Sequence, residues 1–174
     1  MDVHIFILFL KRMLQSFLII ALVLVFFKTT VLSFEQVAGL SMYPTLKTNE
    51  LYATNKLIYL FHTPARGDII QAIDPTNGLV IKRVLGLPGE TVVIQDGSVF
   101  ISSDENPDHK VLVLEPYLPG QIKTYVHETS DRAIFTIPAD NYFIMGDNRM
   151  HSSDSRVYGP VHRTHIVGKF ISLQ

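Results

Sequence analysis

A serine hydroxyl is a poor nucleophile at neutral pH until a neighbouring group takes its proton. Ser41 is set apart from the other serines by its surroundings, Gly39-Leu40-Ser41-Met42-Tyr43-Pro44-Thr45-Leu46, directly after a long apolar segment. Pro44 locks its own φ and opposes a continuous helix, so the serine is presented on a turn. Its base must lie within about 2.6–3.2 Å but is unrestricted in chain distance. There is no cysteine, which removes thiolate nucleophiles, disulfides and cysteine metal sites together. Six of the seven histidines follow the apolar segment, His62, His127, His151, His162 and His165 among them, and none has a nucleophile-elbow or H-E-x-x-H spacing. His162 and His165 alone lack the third ligand that zinc needs.

The better base is Lys82, in Val80-Ile81-Lys82-Arg83-Val84-Leu85-Gly86-Leu87-Pro88-Gly89-Glu90. On a strand, alternation puts Val80, Lys82 and Val84 on one face and Ile81, Arg83 and Leu85 on the other. Apolar neighbours favour the neutral amine, and a base working near neutral pH needs its pKa well below the usual value of about 10.4. That requires a largely dry site; the plain alternative is that Lys82-Arg83 is an ordinary solvated basic pair. A third stretch, Gly146 to Pro160, packs Asp147, Arg149, Ser152, Ser153, Asp154, Ser155 and Arg156 together after an apolar run. It is either a solvated loop or a fixed shell of charges and hydroxyls supporting a site.

Elements that could position these groups follow from the patterning. The net charge of −1 and a pI near 6.6 offer no basic footprint for nucleic acid. A 47% hydrophobic composition with positive mean hydropathy exceeds what a plain soluble domain needs. The excess lies at the front, where Lys11-Arg12 precedes the apolar stretch Met13 to Phe34, interrupted only at Lys28. Those 22 residues make about 33 Å of helix, enough for a hydrocarbon core of roughly 30 Å. Lys28 can snorkel to the interface, and the positive-inside rule keeps Lys11-Arg12 in the cytoplasm with the remainder outside. A cleaved secretory signal is the alternative, although no clear small-x-small site precedes Ser41. The run Val3 to Leu10 is compatible with lying in the interface.

Past Phe34 the pattern changes to short β-branched runs between turn residues. Leu51 to Thr54, Gly67 to Ala72, Leu79 to Leu85, Thr91 to Ile94, Val111 to Leu114, Phe135 to Pro138 and Tyr142 to Met145 read as strands. Pro88-Gly89 suits a type II turn, Asp96-Gly97 a hairpin, and Ala139-Asp140-Asn141 a left-handed corner. Asp74 to Gly78 reads as a turn and Ser102 to Lys110 as a surface loop, while Gln121 to Arg132 has no clear pattern. Short strands without βαβ alternation predict a mostly β, coiled antiparallel domain over residues 35–174, following an anchor over residues 1–34.

The anchor, the Ser41 stretch, Gly67-Asp68-Ile69-Ile70, the Lys82 stretch, Glu115-Pro116-Tyr117-Leu118 and the Gly146 to Arg156 box, in this order, resemble bacterial type I signal peptidases of the compact Gram-positive kind. These are membrane-anchored Ser/Lys proteases that remove signal peptides. The resemblance implies that Ser41 is the nucleophile, with its N–H as one oxyanion donor, and Lys82 the general base. It implies that Ser152 orients the lysine amine, that Asp147 with Arg83 and Asp154 with Arg156 form supporting ion pairs, and that Met42, Leu46, Val80 and Ile81 line shallow substrate pockets. It further implies preproteins cut after Ala-x-Ala as substrates, the lipid bilayer as a partner, and no nucleic acid, metal or cofactor. Placement would be single-pass in the bacterial cell membrane, N-terminus cytoplasmic and catalytic domain outside. Two departures stand out: Gly39 replaces a serine that supplies a second oxyanion donor in some members, and Met150-His151 replace residues often polar or acidic. A catalytically idle relative that assembles surface proteins is the rival reading.

Overall fold

The chain enters its first sheet straight from a helix. In this computed structural model, which describes residues 3–76, 78–103, 106–120, 122–126 and 132–173, α1 (Val3–Thr30) is followed after one turn residue by β1 (Leu32–Gln36). Asn77 of the expected turn, residues 104–105 of the expected loop, and Gln121 and His127 lie outside the described residues. The stretch Val3–Lys28 is long and apolar enough to cross a membrane.

Both ends of the apolar segment differ from the expectation of Met13 to Phe34. Val3 to Leu10 continues the same helix, because Lys11 and Arg12 are good helix formers and do not interrupt it. At the other end Leu32, Ser33 and Phe34 pair with Asn55, Thr54 and Ala53 of β2 (Leu51–Asn55), so the division expected after Phe34 falls inside β1.

After β2 come a short helix α2 (Ile58–Phe61), β3 (Ile69–Ile73) and β4 (Leu79–Gly86). The Leu87 to Glu90 turn leads to β5 (Thr91–Gln95), which pairs through the Asp96-Gly97 turn with β6 (Ser98–Ser102). Then follow β7 (Lys110–Leu112), β8 (Arg132–Thr136) and β9 (Asn141–Met145). The chain closes with α3 (Ser155–Tyr158), β10 (Val161–His162), a 3₁₀ turn over Arg163–His165 and β11 (Ile166–Ser172). The strands make a seven-stranded sheet, β1-β2-β11-β3-β4-β9-β10, and a four-stranded one, β7-β6-β5-β8, antiparallel at every pairing. This is the mostly β, antiparallel architecture that the short runs predicted.

The site depends on β4, which lies between β3 and β9 and is the longest strand. Its alternation is as expected: Val80 and Val84 face a core with Ile70, Ala72, Ile144 and Ile166, while Leu85 joins Val92, Ile137 and Phe143 between the two sheets. Lys82 therefore leaves the strand on an apolar face, its backbone opposite Ile70.

Candidate active site

Ser41 and Lys82, 41 residues apart in sequence, meet: the Lys82 Nζ to Ser41 Oγ distance is 2.9 Å. The amine also donates to the Ile81 carbonyl at 3.1 Å. Lys82 is only 3% exposed, and that burial, by penalising the charged form, pushes its pKa below the ordinary lysine value. The Asp154 and Asp74 carboxylates pull it partly back and the Arg156 guanidinium pushes it down again. Burial is the largest of these influences, so the site eases loss of the amine's proton next to a hydroxyl.

The serine is fixed from the far end of the chain. The Asn148 N–H donates to the Ser41 carbonyl at 3.0 Å and the Asn148 side-chain amide to Leu40 O at 3.1 Å. Gly146, the residue after β9, permits this approach, because a Cβ there would overlap both the Ser152 hydroxyl and the Ser41 carbonyl oxygen. Gly39 has φ of +84°, a region that L side chains rarely adopt. The departure from serine at this position therefore has a backbone reason.

Below the dyad lie two carboxylates with their cations. Asp147, fully buried, accepts Arg83 Nε at 2.9 Å and Arg83 Nη2 at 2.6 Å in a bidentate pair. Thr45, four residues past the serine, donates its hydroxyl to the same carboxylate. Asp154 accepts Arg156 Nε at 2.9 Å and Nη2 at 2.8 Å, and the Gly146 N–H at 3.0 Å. Burial alone would raise the Asp154 carboxyl, but Arg156 and the Gly146 N–H outweigh it and hold it below the usual carboxylate range. Both pairs expected from the resemblance are present, and the Gly146 to Arg156 stretch is a buried shell rather than a solvated loop.

The family model described as signal peptidase, peptidase S26 matches residues 10–173. The chain belongs to the signal peptidase family. Signal peptidase I V of Bacillus subtilis (strain 168) is 34% identical over 141 residues, covering 76% of this chain and 80% of that one. Signal peptidase I of Leptolyngbya laminosa is 36% identical over 141 residues, covering 75% of this chain and 63% of the relative. A crystal structure of a signal peptidase I from Enterococcus faecalis V583 matches 62% of this chain and 97% of its own with a TM-score of 0.47 at 30% identity. The chain is thus a peptidase of the signal peptidase I type.

Beside the Ser41–Lys82 contact opens a cavity of about 130 Å³, lined among others by Val37, Ala38, Met42, Leu79, Val80 and Ile81. Met42, Val80 and Ile81, expected along a substrate pocket, line this cavity. Leu46 is not among the lining residues: it is buried in a core with Val37, Met42 and Tyr52 that underlies the site. The Ser152 hydroxyl is buried beside Gly146, where an added Cβ would overlap it, and makes no hydrogen bond to a described residue.

The sequence reading missed several supporting groups. Thr45 lies in the Ser41 stretch and Asn148 in the Gly146 to Pro160 stretch, where residue type alone gives neither a role. Arg149 is fully covered, paired with Glu115 and hydrogen-bonded to Thr124, and the Arg83 guanidinium stacks over the Tyr117 ring at 3.8 Å. Glu115-Pro116-Tyr117 thus buttresses both arginines, and its signal was the combination of acid and aromatic in a turn. Among the described residues no group of three or more His, Asp or Glu is placed to hold a metal; His162 instead accepts the Thr164 N–H at the 3₁₀ turn.

Proposed function

We propose that this chain is a membrane-anchored serine endopeptidase that cuts exported preproteins after small residues through a Ser41/Lys82 dyad. The observation that carries the proposal is the 2.9 Å contact between Ser41 Oγ and a buried amine with lowered pKa. Neutral Lys82 takes the Ser41 proton as Oγ attacks the scissile carbonyl, forming a tetrahedral intermediate whose oxyanion faces the Ser41 N–H. Lys82 then gives the proton to the leaving amine, leaving an acyl ester on Ser41. The same amine next removes a proton from water, which attacks the ester and frees the serine. With glycine at position 39, a second oxyanion donor comes from water or from the substrate backbone.

The roles of the surrounding groups follow. Asp147 with Arg83 holds the β4 backbone against the serine loop, Asp154 with Arg156 sets the field around Lys82, and Ser152 orients the Lys82 amine as the proton moves. A cavity of about 130 Å³ walled by Met42, Val80 and Ile81 favours small side chains such as alanine. α1 supports an anchor with Lys11-Arg12 on the cytoplasmic side and the β structure outside, in a bacterial cell membrane.

The test uses detergent-solubilised full chain and a preprotein with an Ala-x-Ala boundary. Cleavage is expected after the second alanine, and Ser41→Ala is expected to abolish it. Cutting at another bond, or activity that survives Ser41→Ala, would refute the proposal.

A further inference from the structure

A second cavity, of about 490 Å³, has no part in the steps above. Its walls include Tyr125, Val126, Met150 and Val157. Met150 and Val157 are left 73% and 71% exposed, and Met150 is one of the two departures from the family pattern. The floor is already saturated. All five N–H donors of the Arg156 guanidinium are used: Nε and Nη2 donate to Asp154, Nη1 to the Tyr125 and Arg149 carbonyls at 3.0 and 2.8 Å, and Nη2 also to the Ser152 carbonyl at 3.4 Å. Arg149 is spent in the same way on Glu115, Thr124 and the Gly146 carbonyl. Among the described residues lining the cavity, none offers an incoming acid a free cation, and the open surface is thioether, isopropyl and phenol. Such a site receives an apolar side chain, to which methionine adapts readily.

Its location says where that side chain comes from. The cavity adjoins the nucleophile without sharing a described lining residue with the smaller one that favours alanine. A Cβ on Gly146 would fall 2.2 Å from the Oγ of Ser152, which lines the second cavity, and 2.4 Å from the Ser41 carbonyl oxygen. Asn148, whose N–H donates to that carbonyl, precedes Met150 by two residues, at most about 7 Å of chain. A substrate strand rising about 3.3 Å per residue that leaves the small cavity across Ser41 therefore reaches Met150 within the first three residues after the cut.

We propose that this cavity is a specificity site for the mature side of the cleavage point, Met150 and Val157 receiving an apolar side chain from the first three residues that follow the cut. The inference rests on cleavage after Ala-x-Ala by Ser41. Alternate residues of an extended strand share a face, so the two alanines and the second residue after the cut point the same way. That second residue is the expected occupant.

The test uses the full chain in detergent and peptides with an Ala-x-Ala boundary, in which leucine, aspartate or serine stands in turn at the first, second and third position after the cut. Leucine at the second position is expected to raise kcat/KM roughly tenfold over serine, with aspartate no better than serine. Met150→Ser combined with Val157→Ser should remove that gain. Met150→Lys should turn the preference toward aspartate, a result that misfolding cannot produce. A leucine gain at any of the three positions that the double variant removes supports the inference. No gain, or a gain that survives the double variant, overturns it, while Ser41-dependent cutting after the second alanine leaves the proposed function standing. Should the double variant not fold, the leucine-to-aspartate ratio of Met150→Lys decides, and a ratio equal to that of the wild type overturns the inference. Peptides that are not cut, or that are still cut by Ser41→Ala, overturn both.

Discussion

Lys82→Met is expected to lower the turnover of a preprotein by about 10²- to 10⁴-fold, the usual contribution of a positioned general base, and to make the protein more stable. The two effects have one cause. The amine is buried opposite Ile70 and between Val80 and Val84 on its strand face, so holding a charge there is unfavourable. Its pKa is lower folded than unfolded, which means that the folded state binds fewer protons between the folded value and about 10.4, and that stability rises with pH across that window. At and below the folded value the penalty is fully present. The stabilisation by methionine is therefore largest at neutral and lower pH and shrinks as pH approaches about 10.4. Denaturant melts at pH 6 and pH 9.5 read this directly. An inactive variant with no gain in stability at pH 6 would mean that Lys82 is not held against its own solvation.

Asp147→Ala should destabilise the fold by about 3–5 kcal/mol, as for other buried pairs that lose one partner, a large share of the roughly 5–15 kcal/mol of an ordinary domain. The Arg83 guanidinium would remain buried with the Gly67 carbonyl and the Tyr117 ring as its contacts. Thr45 would lose its acceptor. Thr45→Val keeps the ion pair and removes one hydrogen bond, so its cost is smaller, about 1–2 kcal/mol. Urea unfolding of the three proteins separates the two contributions; equal losses for both variants would show that the threonine, not the arginine, depends on Asp147.

Much of the scaffold was legible because its signals are local. Leu79 to Leu85, Thr91 to Ile94 and Tyr142 to Met145 carry β-branched runs bounded by turn residues, and their strands begin and end within a residue of expectation. The face on which Lys82 emerges follows from alternation alone. The ends of the apolar segment were not legible, since hydropathy is the same whether Phe34 belongs to a lipid-facing helix or to an exposed edge strand. Burial of the last box was not legible either. Asp147 is dry because Arg83, 64 residues away, meets it, and no window of sequence contains both. Leu46 was placed in a substrate pocket by resemblance, but the serine loop turns it into the core with Met42 and Tyr52.

The central claim is that an uncharged Lys82 takes the proton of Ser41. Its most direct test is a titration of the Lys82 amine by ¹⁵N NMR in the full chain, set beside the pH dependence of kcat/KM on a preprotein. The account predicts that the amine loses its proton below the usual lysine range and that activity rises with pH along the same curve. An amine that titrates near 10.4 while activity has already levelled off at lower pH would contradict it.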